Sequence, residues 1–142
     1  MRAVITPLLG IAATAALLTG CSLQDDSVGP GPTGVATKLP QDSDRAKSSK
    51  QAREFRSWVD KHGNVSQQKA AARVQRIIGD GDDKSGTVFI STDINGGLTP
   101  VKDPTSTAET IVKTYTAYIG PQQSRVSVYD VFGQVLTGNA GA

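Results

Sequence analysis

The stretch FRSWVDKHG, residues 55–63, decides the fold because it contains both the packing face of a helix and the glycine that ends it. Side chains that can pack recur at i, i+3, i+4 and i+7, the spacing of one face of an amphipathic helix. They are Phe55, Trp58, Val59 and His62. Gly63 follows and favours a left-handed helix stop, which a residue without Cβ adopts easily. The pattern predicts helix A over residues 47–62.

A second helix is expected directly after this glycine. Ser66 is a good N-cap, because its hydroxyl can accept a free N–H of the first turn, and Val65 is placed to pack against Ala70. Helix B is expected over residues 67–78, and Gly79 ends it. Its expected buried face consists of Ala70, Ala71, Val74, Ile77 and Ile78. The short connection makes helices A and B a helical hairpin.

The next segments predict one strand and one further helix. Residues 87–91, TVFIS, have three consecutive apolar side chains, which indicates a strand with contacts on both faces. Asp103 and Pro104 suit the start of helix C, as N-cap and first-turn proline, although Ser106 and Glu109 offer a capping box slightly later. Its expected buried face consists of Ala108, Ile111, Val112, Tyr115 and Ile119.

A β-hairpin is expected at the carboxyl end, with strands at residues 125–130 and 134–137 and with Gly133 at positive φ in the turn. A strand–helix–strand crossover is right-handed and makes its two strands parallel. The predicted fold is therefore α+β: a helical hairpin followed by βαββ, with a small three-stranded mixed sheet packed by helices.

The amino-terminal stretch has the build of an export signal. Met1 and Arg2 give a short positive start, and residues 3–18 form an apolar run that is short for a membrane span. The run ends in a leucine, two small residues and a cysteine, which are Leu18, Thr19, Gly20 and Cys21. This pattern resembles the bacterial lipobox. The resemblance implies cleavage between Gly20 and Cys21 and attachment of acyl chains such as palmitate to Cys21.

Three regions follow from this interpretation: a signal peptide over residues 1–20, a disordered tether over residues 21–46 and one small α+β domain over residues 47–142. The tether is rich in Gly, Pro, Ser and Asp and has no apolar periodicity. A flexible chain of this length spans about 25 to 30 Å, which holds the domain just clear of a membrane. The expected location is the extracytoplasmic face of the cell membrane, through the lipid anchor.

Charge and cysteine content exclude several classes of function. The chain has 15 Lys and Arg against 13 Asp and Glu, and near-neutrality and export both argue against nucleic-acid binding. Cys21 is the only cysteine, so lipidation leaves no thiol for a disulfide, a zinc site or a nucleophile. Neither GxSxG nor HExxH occurs, and we expect neither enzymatic activity nor a cofactor.

An acidic loop over residues 79–86, GDGDDKSG, is the strongest candidate for a cation site. Asp80, Asp82 and Asp83 offer the oxygen ligands that calcium prefers. The spacing departs from a calcium loop, because Lys84 stands at the fifth position and Ser91 stands where a closing glutamate belongs. A solvated turn is therefore the preferred interpretation, with the three aspartates as weak metal candidates.

Basic side chains indicate a second candidate surface. They are Lys47, Lys50, Arg53 and Arg56 on helix A and Lys69, Arg73 and Arg76 on helix B. Two solvated helix faces are the simpler explanation, and contact with an anionic envelope surface, either lipid headgroups or an acidic wall polymer, is the alternative.

His62, the only histidine, is expected to stabilise the last turn of helix A rather than to act as a base. The aromatic residues Phe55, Trp58 and Tyr115 are expected in the core.

The segments FRSWVDKHG, FISTDINGG and VSVYDVFGQVL, separated by apolar helices, resemble a group of small exported actinobacterial (Streptomyces-like) lipoproteins. The matching positions are mainly core and turn residues, so the resemblance implies a fold and an export route but no activity. We expect a lipid-anchored binding or interaction module whose partner is a protein or an anionic envelope surface. The alternatives are a small-molecule or metal-binding carrier and an inhibitor of an exported enzyme.

Overall fold

The computed structural model describes residues 37–79, 86–98, 100–120 and 125–138. Within these residues the chain forms three helices and four strands, which confirms the predicted α+β class. In chain order they are α1 (Arg45–His62), α2 (Val65–Ala71), β1 (Val74–Ile78), β2 (Thr87–Thr92), α3 (Pro104–Ile119), β3 (Arg125–Tyr129) and β4 (Val135–Gly138). The predicted order, a helical hairpin followed by βαββ, is wrong because a strand stands between α2 and β2.

The four strands form one mixed sheet in the order β1-β2-β3-β4. β1 pairs antiparallel with β2, β2 pairs parallel with β3, and β3 pairs antiparallel with β4. The predicted three-stranded sheet is therefore one strand short, although the parallel pairing across α3 and the terminal hairpin are confirmed. Gly133 in the hairpin turn has a φ of +74°, in agreement with the prediction.

The additional strand is the carboxyl half of the predicted helix B. α2 ends at Ala71, and the chain enters β1 at Val74. Val74 and Ile77 are both buried, although residues three apart on a regular strand face opposite sides. The register shifts between Val74 and Arg76, so Gln75 is the extra residue of a β-bulge and both apolar side chains reach one face. The bulge thus gives the strand the i, i+3 spacing that predicts a helix.

α1 and α3 pack against one face of the sheet, α2 packs against both of these helices, and the hydrophobic core lies between the helices and the sheet. The sheet contributes Val74, Ile77, Val88, Ile90, Val126 and Val128, and the helices contribute Ala52, Phe55, Val59, Ala70, Ala108 and Ile111. Phe55 packs edge-on against Tyr115 of α3, with 5.3 Å between the ring centroids. Burial of these two rings confirms their predicted place in the core, and Trp58 packs half-buried at its edge.

Two predictions about helix ends are wrong. Gly63 is extended rather than left-handed, and glycine is favoured there because a Cβ would lie only 2.6 Å from Val59 Cγ1. The N-cap of α2 is Asn64, not Ser66. The Asn64 side chain accepts the N–H of Gln67 at 3.0 Å, and the Gln67 side chain accepts the N–H of Asn64 at 2.9 Å. This reciprocal pair is a capping box, which sets the start of the helix.

Residues 37–44, which we call the strap, contact both edges of the sheet. At one end Leu39 donates its N–H to the Gly133 carbonyl at 2.9 Å, beside the start of β4. At the other end Asp42 forms an ion pair with Arg76 of β1 at 2.9 Å. Because β4 and β1 are the two edge strands, a segment anchored on both spans the width of the sheet.

A second, smaller apolar layer lies around Tyr129. Tyr129 and Ser127 alternate along β3 with the core residues, so both lie on the face of the sheet opposite the core. Phe89 of β2 lies beside Tyr129, with 6.2 Å between the ring centroids. Tyr129 is fully buried, and this burial raises the pKa of its phenol, an effect that a hydrogen bond with the Ser127 side chain reduces.

The strap also moves the amino-terminal boundary of the domain. The predicted tether over residues 21–46 includes the strap and the first turn of α1, which begins at Arg45 with Asp44 as its N-cap. The predicted domain start at residue 47 is therefore too late. The strap is bound to the rest of the domain near its two ends and not along one apolar face. Its sequence therefore shows no apolar periodicity. Residues 21–36 of the tether and the signal peptide over residues 1–20 lie outside the described residues.

Asp42 is the polar anchor of the strap. Its side chain is 5% exposed and accepts hydrogen bonds from Ser48 Oγ at 2.6 Å and from the Arg76 guanidinium at 2.9 Å. Burial alone would raise the pKa of Asp42, but the hydrogen bonds from Ser48, Arg76 and a backbone N–H, with the charge of Arg76, lower the pKa below its ordinary value. Such a carboxyl group stabilises the fold above the unfolded-state pKa of about 4 and loses that contribution as the pH falls through its folded-state pKa.

Replacement of Asn64 by alanine is expected to lower the free energy of unfolding by about 1 kcal/mol, the usual cost of a lost N-cap. Ser66→Ala is the matched control, because Ser66 is exposed on the first turn of the same helix, and it should change the free energy by less than about 0.5 kcal/mol. Urea denaturation of both variants measures the difference. A larger loss for Ser66→Ala than for Asn64→Ala would show that the assigned cap is wrong.

Asp42→Asn is expected to lower the free energy of unfolding by about 1 to 3 kcal/mol at neutral pH, because the hydrogen bonds to a charged acceptor are lost. The deficit should shrink as the pH falls below about 4, where the wild-type carboxyl group itself becomes protonated. Glu54→Gln is the control, because Glu54 forms a long, exposed ion pair with Lys50 at 3.7 Å. It should lower the free energy of unfolding by less than about 0.5 kcal/mol. Urea denaturation of both variants at several pH values measures these losses. A loss for Asp42→Asn that does not change with pH would contradict the role of Asp42 as the polar anchor of the strap.

Candidate interaction site

The residues that the sequence predicts for lipidation and for metal binding lie outside the described residues. Gly20 and Cys21 precede residue 37, and Asp80, Asp82 and Asp83 fall between residues 79 and 86. Lipidation and weak metal binding therefore stay predictions. Among the residues that the structure does describe, no group of three His, Cys, Asp or Glu side chains is placed to hold a metal ion. No helix within those ranges has the length and apolar content to cross a membrane.

The structure separates the basic side chains that the sequence placed on two helix faces. Three of them make internal contacts: Arg56 donates to the Val74 carbonyl, Arg73 pairs with Asp93 at 3.3 Å, and Arg76 pairs with Asp42. The predicted basic face of helix B is wrong, because α2 ends before Arg73 and Arg76. Lys47, Lys50 and Arg53 remain exposed on α1.

His62 lies in the last turn of α1, where the sequence predicts it. Its ring packs on the indole of Trp58, with 5.1 Å between the ring centroids, and Trp58 packs in turn on Tyr118 of α3 at 5.4 Å. The histidine itself is exposed. Its contacts are those of a side chain that covers the edge of an aromatic cluster.

Two loops meet where the parallel strands β2 and β3 end. One follows β2 and the other connects β3 to β4, and parallel neighbours have their carboxyl ends at the same edge of a sheet. Val131 donates its N–H to the Ile94 carbonyl at 3.0 Å, which joins the loops directly. Ile94 is fully buried and fixes the first loop to the core. We call this loop pair, residues 94–98 and 131–134, the tip.

Asp130 is the polar centre of the tip. It is 5% exposed, and its carboxylate accepts three hydrogen bonds from the two loops. Oδ1 accepts the N–H groups of Phe132 and Gln134, each at 2.9 Å, and Oδ2 accepts the side-chain amide of Asn95 at 3.0 Å. Asn95 has a φ of +68°, a left-handed conformation that asparagine tolerates better than most residues. One buried acidic side chain therefore fixes both loops.

Thr92 adds a second buried link at the base of the tip. Its hydroxyl donates to the Tyr129 carbonyl at 2.7 Å and accepts the N–H of Ile94 at 3.3 Å. The end of β2 is thereby tied to the end of β3 just before both strands become loops. Because these polar groups are buried and satisfied, they hold the tip in one conformation.

The tip exposes large apolar side chains to solvent. Leu98 is 96% exposed, Phe132 is 73% exposed and Val131 is 47% exposed. In the rest of the described chain, Val65 on α2 is the one other exposed large apolar side chain. Large apolar side chains that are exposed on loops of a rigid scaffold are typical of a binding surface.

A cleft of about 300 Å³ between α2 and the first turns of α3 is the second candidate site. Its polar lining includes Lys69, Arg73, Thr107 and Thr110. Arg73 is already paired with Asp93, and both threonine hydroxyls donate to carbonyl groups of the α3 amino terminus, at 2.8 and 2.9 Å. Most of these polar groups therefore hold the fold rather than face a ligand.

Sequence reasoning missed the tip as a site. It treated the segment around Phe132 as a hairpin turn, and the hydrogen bond that joins the two loops through Asn95 and Asp130 spans 35 positions. One signal was available, because residues in turns are usually small and polar whereas Phe132 and Leu98 are large and apolar. Large apolar residues within segments that otherwise have the composition of turns would have identified the tip.

Asp130→Ala is expected to lower the free energy of unfolding by about 1 to 3 kcal/mol, because two backbone N–H groups and one amide lose their acceptor. Faster amide hydrogen exchange at Phe132 and Gln134 should accompany the loss, since the loops are no longer held. Asp103→Ala is the control: Asp103 is the exposed N-cap of α3, so its loss should affect the start of that helix but not these two amides. Unchanged exchange at both amides in Asp130→Ala would contradict the proposed role.

No protein-family model, curated protein or solved structure matches the chain. The lipobox and the resemblance to exported actinobacterial lipoproteins stay interpretations of the sequence. The proposals below therefore rest on the residues and contacts of this chain.

Proposed function

We propose that this protein is a lipid-anchored protein of the extracytoplasmic face of the cell membrane and that its small α+β domain is a binding module. The observation that carries the proposal is the exposure of Leu98, Val131 and Phe132 on the two loops that Asp130 joins at one edge of the sheet. The location is inferred from the lipobox pattern that ends in Cys21.

The exposed side chains of the tip support binding because they add little to the stability of the isolated domain. Burial of apolar surface stabilises a protein, and an exposed phenylalanine or leucine contributes little of that energy. Asp130, Asn95 and Thr92 nevertheless hold the tip in place through buried hydrogen bonds. A surface that is ordered in advance loses less conformational entropy when it binds. The tip therefore has the composition and the rigidity of a contact surface.

Enclosure of a small ligand has less support. The cleft between α2 and α3 has Arg73, Thr107 and Thr110 of its lining engaged in the fold, and the acidic loop lies outside the described residues. Binding of an extended surface, rather than a carrier or catalytic role, accounts for the exposed tip.

The anchor is tested by comparison of the full-length chain with a Cys21→Ala chain that is produced without residues 1–20, so that the apolar run of residues 3–18 is absent. The wild-type protein should partition into the detergent phase of a Triton X-114 separation, because two acyl chains give stable membrane attachment. The Cys21→Ala protein should partition into the aqueous phase. Mass spectrometry of the amino-terminal peptide identifies the modification. A wild-type protein with an unmodified Cys21 would rule out the anchor.

The tip is tested separately by a photoreactive amino acid at position 132 in intact cells. Ala117 provides the matched control position, since it is exposed on the last turn of α3, about 20 Å along the helix from Pro104 at 1.5 Å per residue. A crosslinked product is expected from position 132 but not from position 117. Equal products, or none from either position, would contradict the assignment of the tip as the binding surface.

A further inference from the structure

We infer that the tip binds the membrane that carries the anchor, by insertion of Leu98, Val131 and Phe132 into the lipid headgroup region. This inference rests on the proposed function, because it names the partner of the same surface. It rests further on the composition of the tip, on the place where the strap enters the domain and on the size of the exposed patch.

The tip has the composition of a segment that enters a membrane interface. Residues 94–98 and 131–134, INGGL and VFGQ, contain no ionisable side chain. The two aspartates that border them are engaged, Asp93 with Arg73 and Asp130 within the tip itself. An aromatic ring and aliphatic side chains without charge are favoured at the boundary between headgroups and acyl chains.

One basic residue adjoins the second loop, and another follows the first loop in the sequence. Lys38 pairs with Gln134 at the edge of the second loop, and Lys102 stands four positions after Leu98. Both lysine residues are exposed. A lysine can extend its charge toward headgroup phosphates while neighbouring apolar side chains lie deeper.

The strap enters the domain next to the tip. The Thr37 carbonyl accepts the N–H of Val135 at 3.3 Å, and Val135 is three positions after Phe132. Fifteen residues lie between Cys21 and Thr37, and the flexible tether that the sequence predicts would span about 20 to 24 Å over this length. This span is comparable to the size of a domain of 100 residues, whose radius of gyration is about 13 Å. A lipid on Cys21 would therefore keep the tip within reach of the bilayer.

The size of the patch favours a membrane over a protein partner. A stable protein–protein interface buries about 800 Å² on each side, which takes some 20 to 30 residues. Three apolar side chains form a much smaller patch. For a domain that is already tethered, a weak additional contact is sufficient, because the tether keeps the local concentration of membrane high.

The test uses a fluorescent nitrobenzoxadiazole probe on the lipidated full-length protein in vesicles of phosphatidylglycerol and phosphatidylethanolamine. Lipidation blocks the native thiol, so Leu98→Cys and Ala117→Cys each provide one labelling site, the first in the tip and the second at the far end of α3. Spin-labelled lipid should remove most of the emission at position 98 and little at position 117. Equal quenching at the two positions would overturn the inference.

A second measurement tests the apolar side chains themselves without the anchor. Co-sedimentation of the Cys21→Ala chain with the same vesicles should weaken by at least about tenfold when Leu98→Ser and Phe132→Ser are combined, since each large side chain loses its burial. Ala117→Ser is the control and should bind as the parent chain does. Binding unaffected by the double substitution would contradict insertion of the tip.

The outcomes separate this inference from the proposed function. If mass spectrometry shows an unmodified Cys21, the lipid anchor is ruled out, whatever the fluorescence of the probe at position 98. A crosslink from position 132 to a protein, together with no quenching at position 98, preserves the binding module and overturns the membrane inference. Quenching confined to position 98 supports both.

Discussion

Parallel pairing of β2 with β3 is the constraint on which the rest of the structure depends. Parallel neighbours cannot be joined by a tight turn, so the chain must return through α3, which covers the core face as it does so. The same pairing places the carboxyl ends of both strands at one edge of the sheet. The two loops that follow must therefore meet, and a single carboxylate, Asp130, can fix both.

The strap and the tip share the β3–β4 hairpin, so the amino-terminal segment is part of the binding element. Asp130 holds the hairpin turn from one side, and the Gly133 carbonyl accepts the N–H of Leu39 from the other. A Cβ on Gly133 would lie 3.4 Å from Leu39 Cβ, which shows how closely the strap approaches the turn. Asp42 and Arg76 hold the strap at the opposite edge of the sheet. The segment that connects the domain to its expected anchor thus also steadies the surface that we propose to contact the membrane.

The sequence predicted the elements whose contacts are local. The helical spacing around Phe55 and the cap at Asp103 follow from neighbouring residues, and both are present. β1 was assigned to a helix because the bulge at Gln75 places Val74 and Ile77 on one face with helical spacing. The strap and the tip were missed because their defining contacts join distant parts of the chain, as Asp42 does with Arg76 over 34 positions.

Amide hydrogen exchange of the lipidated protein on vesicles, compared with the Cys21→Ala protein free in solution, tests the central claim most directly. The account predicts that the membrane slows exchange in residues 94–98 and 131–134 and leaves the exposed outer face of α1 and the last turn of α3 unchanged. Slower exchange along α1, where Lys47, Lys50 and Arg53 are exposed, with no change in the tip would contradict it. In that case the basic helix, and not the loop pair, would be the surface that meets the membrane.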